Sequence, residues 1–227
     1  LQLDIAVHLG TLAAVMLYFR AEVAMATRGF LRLFKLDLST YETHLALCLI
    51  IATIPVVIFG AVLAVTGWIE GLRSLAVIGW AMILFGILLW WMDRRGAEGR
   101  EARTWTLRDA AIMGLWQALA LIPGTSRSGI TMSAGLAAGL DRETASRFAF
   151  LMAIPALGSA GLYSAWDLLS SGQDPHLGEF ALAVAASAAG AWVCIDAFLR
   201  LVGRLGMLPF VIYRVALGVF LLVLAAT

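Results

Sequence analysis

The chain has 227 residues, of which 62% are hydrophobic and only 14% charged, whereas soluble domains carry about 25% charged residues. Together with a mean hydropathy of +0.91, this composition excludes an ordinary soluble protein and indicates an integral membrane protein. The formal net charge of +1 gives no reason to expect a nucleic-acid partner.

Six apolar segments approach the length of about 20 residues that a helix needs to cross a bilayer. These predicted spans cover residues 3–19, 44–66, 71–92, 147–168, 178–200 and 207–226. The sequence therefore predicts an all-α, polytopic membrane protein in which residues 1–227 form a single membrane domain.

Between the third and fourth predicted spans, residues 108–140 predict a re-entrant helical hairpin. Its two arms, residues 110–122 and 130–140, are each too short to cross the membrane, and a polar turn over 123–129 joins them. Irregular backbone at membrane depth is tolerated only where it is buried in protein or lines a water-filled cavity. We therefore expect the turn to face such a cavity.

Positive charge predicts the orientation of the spans. Thirteen of the sixteen basic residues fall in segments that alternating spans place on one side of the membrane. Since loops rich in Arg and Lys stay in the cytoplasm, this side is predicted to be cytoplasmic, with both chain ends outside. The basic segment over 20–43 is predicted to be a linker on that side.

The order of elements also predicts an inverted repeat. Residues 1–92 supply three spans, and residues 108–227 supply the hairpin followed by three spans. Because three is odd, the two repeats must insert with opposite topology, as in many transporters. By this symmetry, a second hairpin is expected upstream of Leu1 and is missing from the first repeat.

The polar turn has the composition of an anion site. Pro123 is predicted to end the first arm, while Gly124 and Gly129 permit backbone conformations closed to other residues. The second arm, expected to begin near Ser128, directs unpaired N–H groups at the turn. Hydroxyl groups come from three residues of the turn: Thr125, Ser126 and Ser128. A phosphate group matches these donors best.

Arg127 is the most informative residue of the turn, since an Arg within a membrane element indicates a functional site by default. Its forked guanidinium suits phosphate oxygens. Thr131 and Gln117 are expected to face the same cavity from the two arms. The alternative is that the turn only caps and packs helices, with Arg127 extending to the membrane surface.

Arg214 is a second basic residue within an apolar segment. Charges inside a helix bundle usually find partners, and Asp196 in the preceding span is the expected one. The alternative role for Arg214 is to support the site at the turn from behind.

Residues 114–131 resemble the second signature of the bacterial undecaprenyl pyrophosphate phosphatases of the integral-membrane type, and three other segments agree with that family: 3–12, 145–155 and 208–214. The resemblance implies hydrolysis of undecaprenyl pyrophosphate to undecaprenyl phosphate and phosphate, which recycles the lipid carrier of peptidoglycan synthesis and underlies bacitracin resistance. It also implies a multi-pass protein of the bacterial inner membrane with two hairpins, six spans and an active site facing the periplasm.

Transferred to this sequence, the family signature implies that Ser126 and Arg127 are catalytic, binding and neutralising the pyrophosphate. The residues expected to bind the rest of the substrate headgroup are Gly124, Thr125, Ser128, Gly129, Thr131 and Gln117.

The chain departs from the family pattern in one respect. Family members carry a Glu-x-x-x-Glu motif and a Ser/Thr/Gly/His turn in the first hairpin, and a divalent metal (Mg or Ca) is expected there. Neither motif occurs in the 227 residues, so the metal ligands and the catalytic His are absent. Asp4, His8 and His44 are the only candidates to replace them, and we expect little or no phosphatase activity from this chain alone.

Two other functions are compatible with the sequence. Inverted repeats with broken helices also predict a transporter or flippase of an anionic lipid or small anion, and an anion site without catalytic groups would suit a noncatalytic lipid-phosphate binder. The sequence leaves open whether the protein is a homodimer.

Overall fold

The structure is a computed structural model that describes residues 2–68, 70–95, 99–100, 105–170 and 177–226. Within these ranges the chain is all-helical, apart from one isolated bridge between Arg100 and Leu140. The helices are α1 (Gln2–Tyr18), α2 (Arg20–Leu33), α3 (Tyr41–Thr66), α4 (Leu75–Arg95), α5 (Leu107–Ala118), α6 (Arg127–Ala137), α7 (Arg142–Ser170), α8 (Leu177–Leu205) and α9 (Leu208–Ala226), with short 3₁₀ turns at Glu70–Leu72 and Leu119–Leu121. The predicted all-α class is confirmed.

Four helices in the described ranges are long and apolar enough to cross a membrane: α3, α4, α8 from Gly178, and α9. A fifth candidate is the pair α1 and α2, which meet at an angle of 91°. The protein is therefore a multi-pass membrane protein. The predicted span over 147–168 lies within α7, and the count of six spans stays a prediction.

The segment over 20–43 differs from the predicted linker because most of it is the helix α2. Its apolar residues are too widely spaced to form a continuous run, so a search for apolar runs misses it. Their spacing nevertheless suits one flank of a helix, as Val23, Phe30 and Phe34 show, since residues seven and four apart lie on the same side.

The chain divides into two compact units, one formed by Leu1–Ala46 and Phe150–Arg200, the other by Leu47–Ala149 and Leu201–Thr227. In the first unit, α1 approaches α8 closely at Gly10, where a Cβ would collide with Ser187 and the carbonyl of Val184. The rings of Tyr18 on α1 and Trp192 on α8 also contact each other at 5.2 Å, and Phe19 stacks on Phe150 of α7 at 5.6 Å.

The second unit contains the hairpin of α5 and α6 together with α4 and α9. Small residues allow these helices to pack closely: a Cβ at Gly218 of α9 would lie 2.8 Å from the carbonyl oxygen of Gly79 on α4. Likewise, a Cβ at Gly114 of α5 would lie 2.6 Å from the carbonyl oxygen of Ala52 on α3. The most deeply buried part of this unit is α6, in which every residue from Ile130 to Leu136 is buried.

Candidate functional site

The hairpin begins with a capping box at the start of α5. The Thr106 hydroxyl accepts the backbone N–H of Asp109 at 3.1 Å, and the Asp109 carboxylate accepts the backbone N–H of Thr106 at 2.9 Å. Arg100 donates to the same carboxylate at 2.7 Å. Burial opposes ionisation of Asp109, but the hydrogen bonds from Arg100 and Thr106 outweigh it and hold the pKa of the carboxyl below its ordinary value.

Arg100 also holds the other end of the hairpin, where α6 terminates. Its guanidinium donates to the carbonyl of Ala138 at 2.6 Å, and its backbone N–H donates to the carbonyl of Gly139 at 3.1 Å. One residue therefore joins the start of α5 to the end of α6. Since both ends are fixed, the depth that the turn reaches depends on the lengths of the two arms.

Two residues after this end of the hairpin, Arg142 begins α7 and forms an ion pair with Asp93 at the end of α4. The two guanidinium nitrogens lie 2.6 and 3.1 Å from the carboxylate oxygens. Asp93 also accepts the backbone N–H of Met207, immediately before α9, at 3.3 Å. A single carboxylate thus joins the ends of three helices around the hairpin.

The first arm of the hairpin packs against α3 through Gln117. This residue is fully buried, and its side-chain Nε2 donates to the carbonyl of Ala52 at 3.2 Å. Its Oε1 has no hydrogen-bond partner among the described residues. The amide group therefore bonds to α3 and not to the turn, so its predicted role as a substrate ligand stays a prediction.

The turn itself starts after the 3₁₀ turn of Leu119–Leu121 and an extended Ile122, so Pro123 lies just beyond the first arm, as predicted. Gly124 has a φ of +90°, and a Cβ at this position would lie 2.5 Å from the carbonyl oxygen of Ile78 on α4. Both the backbone conformation and the close approach require glycine. The next residue, Thr125, is fully buried, and its hydroxyl has no partner in the described part of the chain.

Ser126 caps the second arm, which begins at Arg127, one residue earlier than predicted. The Ser126 hydroxyl is exposed, accepts the N–H of Gly129 at 3.3 Å and lies 3.4 Å from the Ser128 hydroxyl. Ser126 has a φ of +66°, a conformation that costs a non-glycine residue about 1–3 kcal/mol and often marks a functional site. The hydroxyls of this turn and the first N–H groups of α6 are thus collected at one point.

Two residues of α6 that were predicted to bind the substrate, Gly129 and Thr131, lie in local environments that differ from those expected. Gly129 has no positive φ, so a special backbone conformation does not explain it; a Cβ there would instead lie 3.5 Å from Nη1 of Arg214. Thr131 is fully buried, and its hydroxyl donates to the carbonyls of Arg127 and Ser128 at 2.9 and 3.1 Å. Because the hydroxyl hydrogen is used in these bonds, Thr131 can bind a ligand only by accepting a hydrogen bond through its hydroxyl oxygen.

Arg214 extends from α9 to the turn. Its Nη2 donates to the carbonyls of Gly124 at 3.0 Å and Thr125 at 2.8 Å, and its Nε has no partner among the described residues. The residue is 7% exposed. Asp196, the predicted ion-pair partner, belongs to the first unit and pairs there with Arg200 at 2.8 Å, so its ion pair with Arg214 stays a prediction. The two carbonyls accept hydrogen bonds from Arg214 without neutralising its charge.

One of the two arginines at the turn, Arg214, therefore carries a positive charge that no carboxylate of the second unit neutralises. Arg214 donates to backbone carbonyls and has no carboxylate partner among the described residues of the second unit, and Arg127 lies partly buried at the first position of α6. The N-terminus of a helix adds partial positive charge to the same point. This arrangement can bind an anion with several oxygens, and its hydroxyl and N–H donors suit a phosphate or pyrophosphate group.

Comparison with protein families agrees with this chemistry. The family described as Bacitracin resistance protein BacA matches residues 1–220. The chain belongs to this family. A match over nearly the whole chain confirms the resemblance seen in its signature and includes the hairpin, the turn and the segment around Arg214.

Individual relatives show the same extent of similarity. The chain is 48% identical to an undecaprenyl-diphosphatase of Jannaschia sp. (strain CCS1), over 98% of this chain and 84% of the relative. It is 47% identical to that of Dinoroseobacter shibae, with the same coverage. It is 46% identical to that of Hahella chejuensis, over 98% of this chain and 83% of the relative.

The residues at the turn do not fit a divalent metal. Its polar groups are hydroxyls, N–H donors and guanidinium groups, whereas Mg and Ca ions take carboxylate, carbonyl and water oxygens. No three His, Cys, Asp or Glu side chains come together in the ranges that the structure describes. Of the suggested replacements, His8 bonds through Nδ1 to the backbone carbonyl of Asp4 at 2.7 Å. The two arginines are thus the cations available at the turn.

Sequence reasoning missed the groups that hold the ends of the hairpin. The capping box of Thr106 and Asp109 could have been found, because Thr followed three residues later by an acidic residue is a signal for a helix start. The pairing of Arg100 with Asp109, and that of Asp93 with Arg142, had no such local signal. Their partners come from different elements, so only the fold brings them together.

Proposed function

We propose that this protein hydrolyses undecaprenyl pyrophosphate to undecaprenyl phosphate and phosphate. The relatives are named for this reaction. The observation that supports it in this chain is the turn at 123–129, where an arginine without a carboxylate partner lies beside the N-terminus of α6. A buried cation without an anion favours the binding of one, and a pyrophosphate supplies it.

Arg127 and Ser126 contact the pyrophosphate in this proposal. The guanidinium donates to the oxygens of the terminal phosphate, while the Ser126 hydroxyl and the first N–H groups of α6 orient it. Arg214 supports the carbonyl side of the turn and adds positive charge behind it. Phosphoryl transfer depends mainly on positioning and on neutralising charge at the equatorial oxygens, and these residues supply both for the substrate.

The remaining binding groups surround this contact. Gly124 sets the path of the turn, and Thr125, Ser128 and Thr131 contribute hydroxyl oxygens. Gly129 leaves room between the turn and Arg214. Gln117 belongs to this set by the family signature, through its free amide oxygen. The nucleophile and the divalent metal of the family are not supplied by these residues, so we expect the 227 residues alone to bind substrate far better than they hydrolyse it.

We propose that the protein lies in the bacterial inner membrane. Six spans, an inverted repeat of 1–92 and 108–227, and a site open to the periplasm would place the turn where a lipid pyrophosphate arrives from cell-wall synthesis. The basic residues at the opposite ends of the spans support this orientation.

The test measures binding and hydrolysis separately. The purified chain in lipid nanodiscs is titrated with a polyprenyl pyrophosphate and, in parallel, with the corresponding monophosphate, while released phosphate is recorded. Replacing a charged donor costs about 1.5–3 kcal/mol, so Arg127→Gln and Arg214→Gln should each weaken pyrophosphate binding by about 10- to 100-fold. The matched control is Arg94→Gln, because Arg94 stacks on Trp90 at the end of α4. Equal affinity of all four proteins would refute the proposed site.

A further inference from the structure

The helix α2 and the residue that follows it carry an apolar flank that is largely exposed among the described residues. Val23, Phe30 and Phe34 lie on this flank at the spacing of one helix side. Phe30 is 46% and Phe34 75% exposed, and their rings contact each other at 5.3 Å. The turn that follows adds two exposed leucines, Leu36 and Leu38. Large apolar residues concentrated in this way indicate a binding surface rather than a solvated helix.

The opposite flank of α2 is basic. Arg28, Arg32 and Lys35 follow one another at intervals of four and three residues, which places them on one side. Arg28 and Arg32 pair with Glu42 at 3.0 and 3.5 Å. Lys35 is exposed and has no ion-pair partner among the described residues. Its ammonium group is therefore available to a partner outside the chain.

The contacts of α2 with the start of α3, within the first unit, determine the depth of α2 relative to the membrane. Glu42, which pairs with both arginines, lies in the first turn of α3, a helix long enough to cross the membrane. Gly29 lies so close to this turn that a Cβ there would collide with the carbonyl of Glu42. Because α3 starts at a membrane surface, α2 lies at that surface as well.

The length and direction of α2 exclude a membrane crossing. Its 14 residues extend about 21 Å at 1.5 Å per residue, which is shorter than the hydrocarbon core of about 30 Å. It carries three arginines and Glu22, and it turns by 91° from α1. A short, charged helix perpendicular to an apolar helix and level with the start of a span lies along the membrane surface.

We propose that α2 and the turn through Leu38 form an interfacial membrane anchor. The flank of Val23, Phe30 and Phe34 inserts into the acyl boundary of the leaflet at which α3 begins. Lys35, on the basic flank, binds the phosphates of phospholipid headgroups in the same leaflet. Helices that lie in the interface have this division, with aromatic and aliphatic residues facing the acyl chains and basic residues facing the headgroups. This anchor is independent of the site at 123–129.

The first test measures the depth of α2 with spin labels in phospholipid nanodiscs. In the full chain with Cys48→Ala and Cys194→Ala, a single label is placed by Phe34→Cys, with Leu84→Cys on the exposed side of α4 as the lipid control and Glu143→Cys as the water control. The label at 34 should collide with oxygen several-fold more than with a water-soluble nickel complex, as at 84. A label at 34 that behaves as at 143 overturns the proposal, and so does one shielded from both reagents, which would indicate a second copy or another protein.

The second test uses the fact that Lys35 is the only lysine of the chain. Lysine labelled with ¹⁵N gives one side-chain nitrogen signal, and in phosphate-free buffer the lipid headgroups carry all the phosphorus. Solid-state NMR should then show loss of the Lys35 Nζ signal by dipolar coupling to ³¹P. A signal that ³¹P irradiation leaves unchanged would overturn the proposed headgroup contact, whatever the depth of Phe34.

Discussion

The substitution Gly124→Ala should disrupt the turn for two separable reasons. The first is the backbone, since φ at Gly124 is +90° and a left-handed conformation costs a residue with a Cβ about 1–2 kcal/mol. The second is space, since the added Cβ would lie 2.5 Å from the carbonyl oxygen and 2.9 Å from the Cα of Ile78. Backbone atoms of α4 cannot rotate away as a side chain can, so the turn or α4 must move.

Gly67 provides a matched control, because it also has a positive φ, of +70°, but a Cβ there meets nothing within 4 Å. Gly67→Ala should therefore cost only the conformational part, about 1–2 kcal/mol. Forced packing adds about 1–3 kcal/mol, which brings Gly124→Ala to about 2–5 kcal/mol. At about 2–4 °C per kcal/mol for a chain of this size, the expected loss of Tm is about 2–8 °C for Gly67→Ala and 4–20 °C for Gly124→Ala.

The assay is thermal unfolding of both variants and the parent chain in the same detergent, followed by titration with a polyprenyl pyrophosphate. Only Gly124→Ala should also lose affinity for the lipid, because only that residue is part of the turn. Equal losses of Tm in the two variants would show that the approach to Ile78 is not a constraint. Unchanged affinity in Gly124→Ala would show that the turn is not the pyrophosphate site.

Three further substitutions test the groups around the turn. Asp93→Ala should lower the free energy of unfolding by about 1–3 kcal/mol, and Arg142→Ala by less, since that side chain is nearly half exposed; fully additive losses in the double variant would show that the two residues are not coupled. Asp109 has a lowered pKa, so the stability it contributes is present above the ordinary carboxyl value of 3.8 and disappears as the pH falls through the folded value. Melting curves of the parent and Asp109→Asn should therefore differ at pH 7 and converge in acid, and a constant difference would contradict the assignment. Thr125→Val should change stability by less than about 1 kcal/mol, since the buried hydroxyl has no partner to lose, and a larger loss measured by chemical unfolding would reveal a bond within the protein.

The hairpin was largely predictable from the sequence because its signals are local. The apolar runs on either side of 123–129 are too short to span, and Pro123 and Gly124 mark a turn by their own backbone preferences. The structure ends the first arm at a 3₁₀ turn before Pro123 and begins the second at Arg127. Local rules thus located the arms to within a few residues: the first was predicted over 110–122 and extends from Leu107 to Leu121, and the second was predicted over 130–140 and is the helix Arg127–Ala137.

The helix α2 shows where such rules fail. Four basic residues between 20 and 35 suggested a solvated linker, because the search for spans counts uninterrupted apolar residues. A helix at a membrane surface has only one apolar flank, and its signal is the helical spacing of Val23, Phe30 and Phe34. Its 91° angle to α1 depends on contacts around Gly29 and Glu42, and these contacts come from the fold.

Arg214 was placed correctly in an apolar helix, but its partners at the turn were not foreseen. Sequence reasoning expected a carboxylate, because an unneutralised charge in a membrane protein is costly. In the structure, Nη2 of the guanidinium donates to the carbonyls of Gly124 and Thr125. Carbonyl partners are present at every residue, so no pattern of residue types can reveal them.

This choice of partner has a consequence for the site. A carboxylate beside Arg214 would have accepted its hydrogen bonds and cancelled its charge together, and an incoming pyrophosphate would then have met a turn with one positive charge fewer. Carbonyl groups satisfy the hydrogen bonds and leave the charge in place. The positive φ of Gly124 belongs to the turn that presents the two carbonyls to α9, while the N–H groups and hydroxyls of the next residues begin α6. Arg214 of α9 binds the carbonyl side of the turn, and its positive charge remains. The turn can therefore contain this arginine and still favour the binding of an anion.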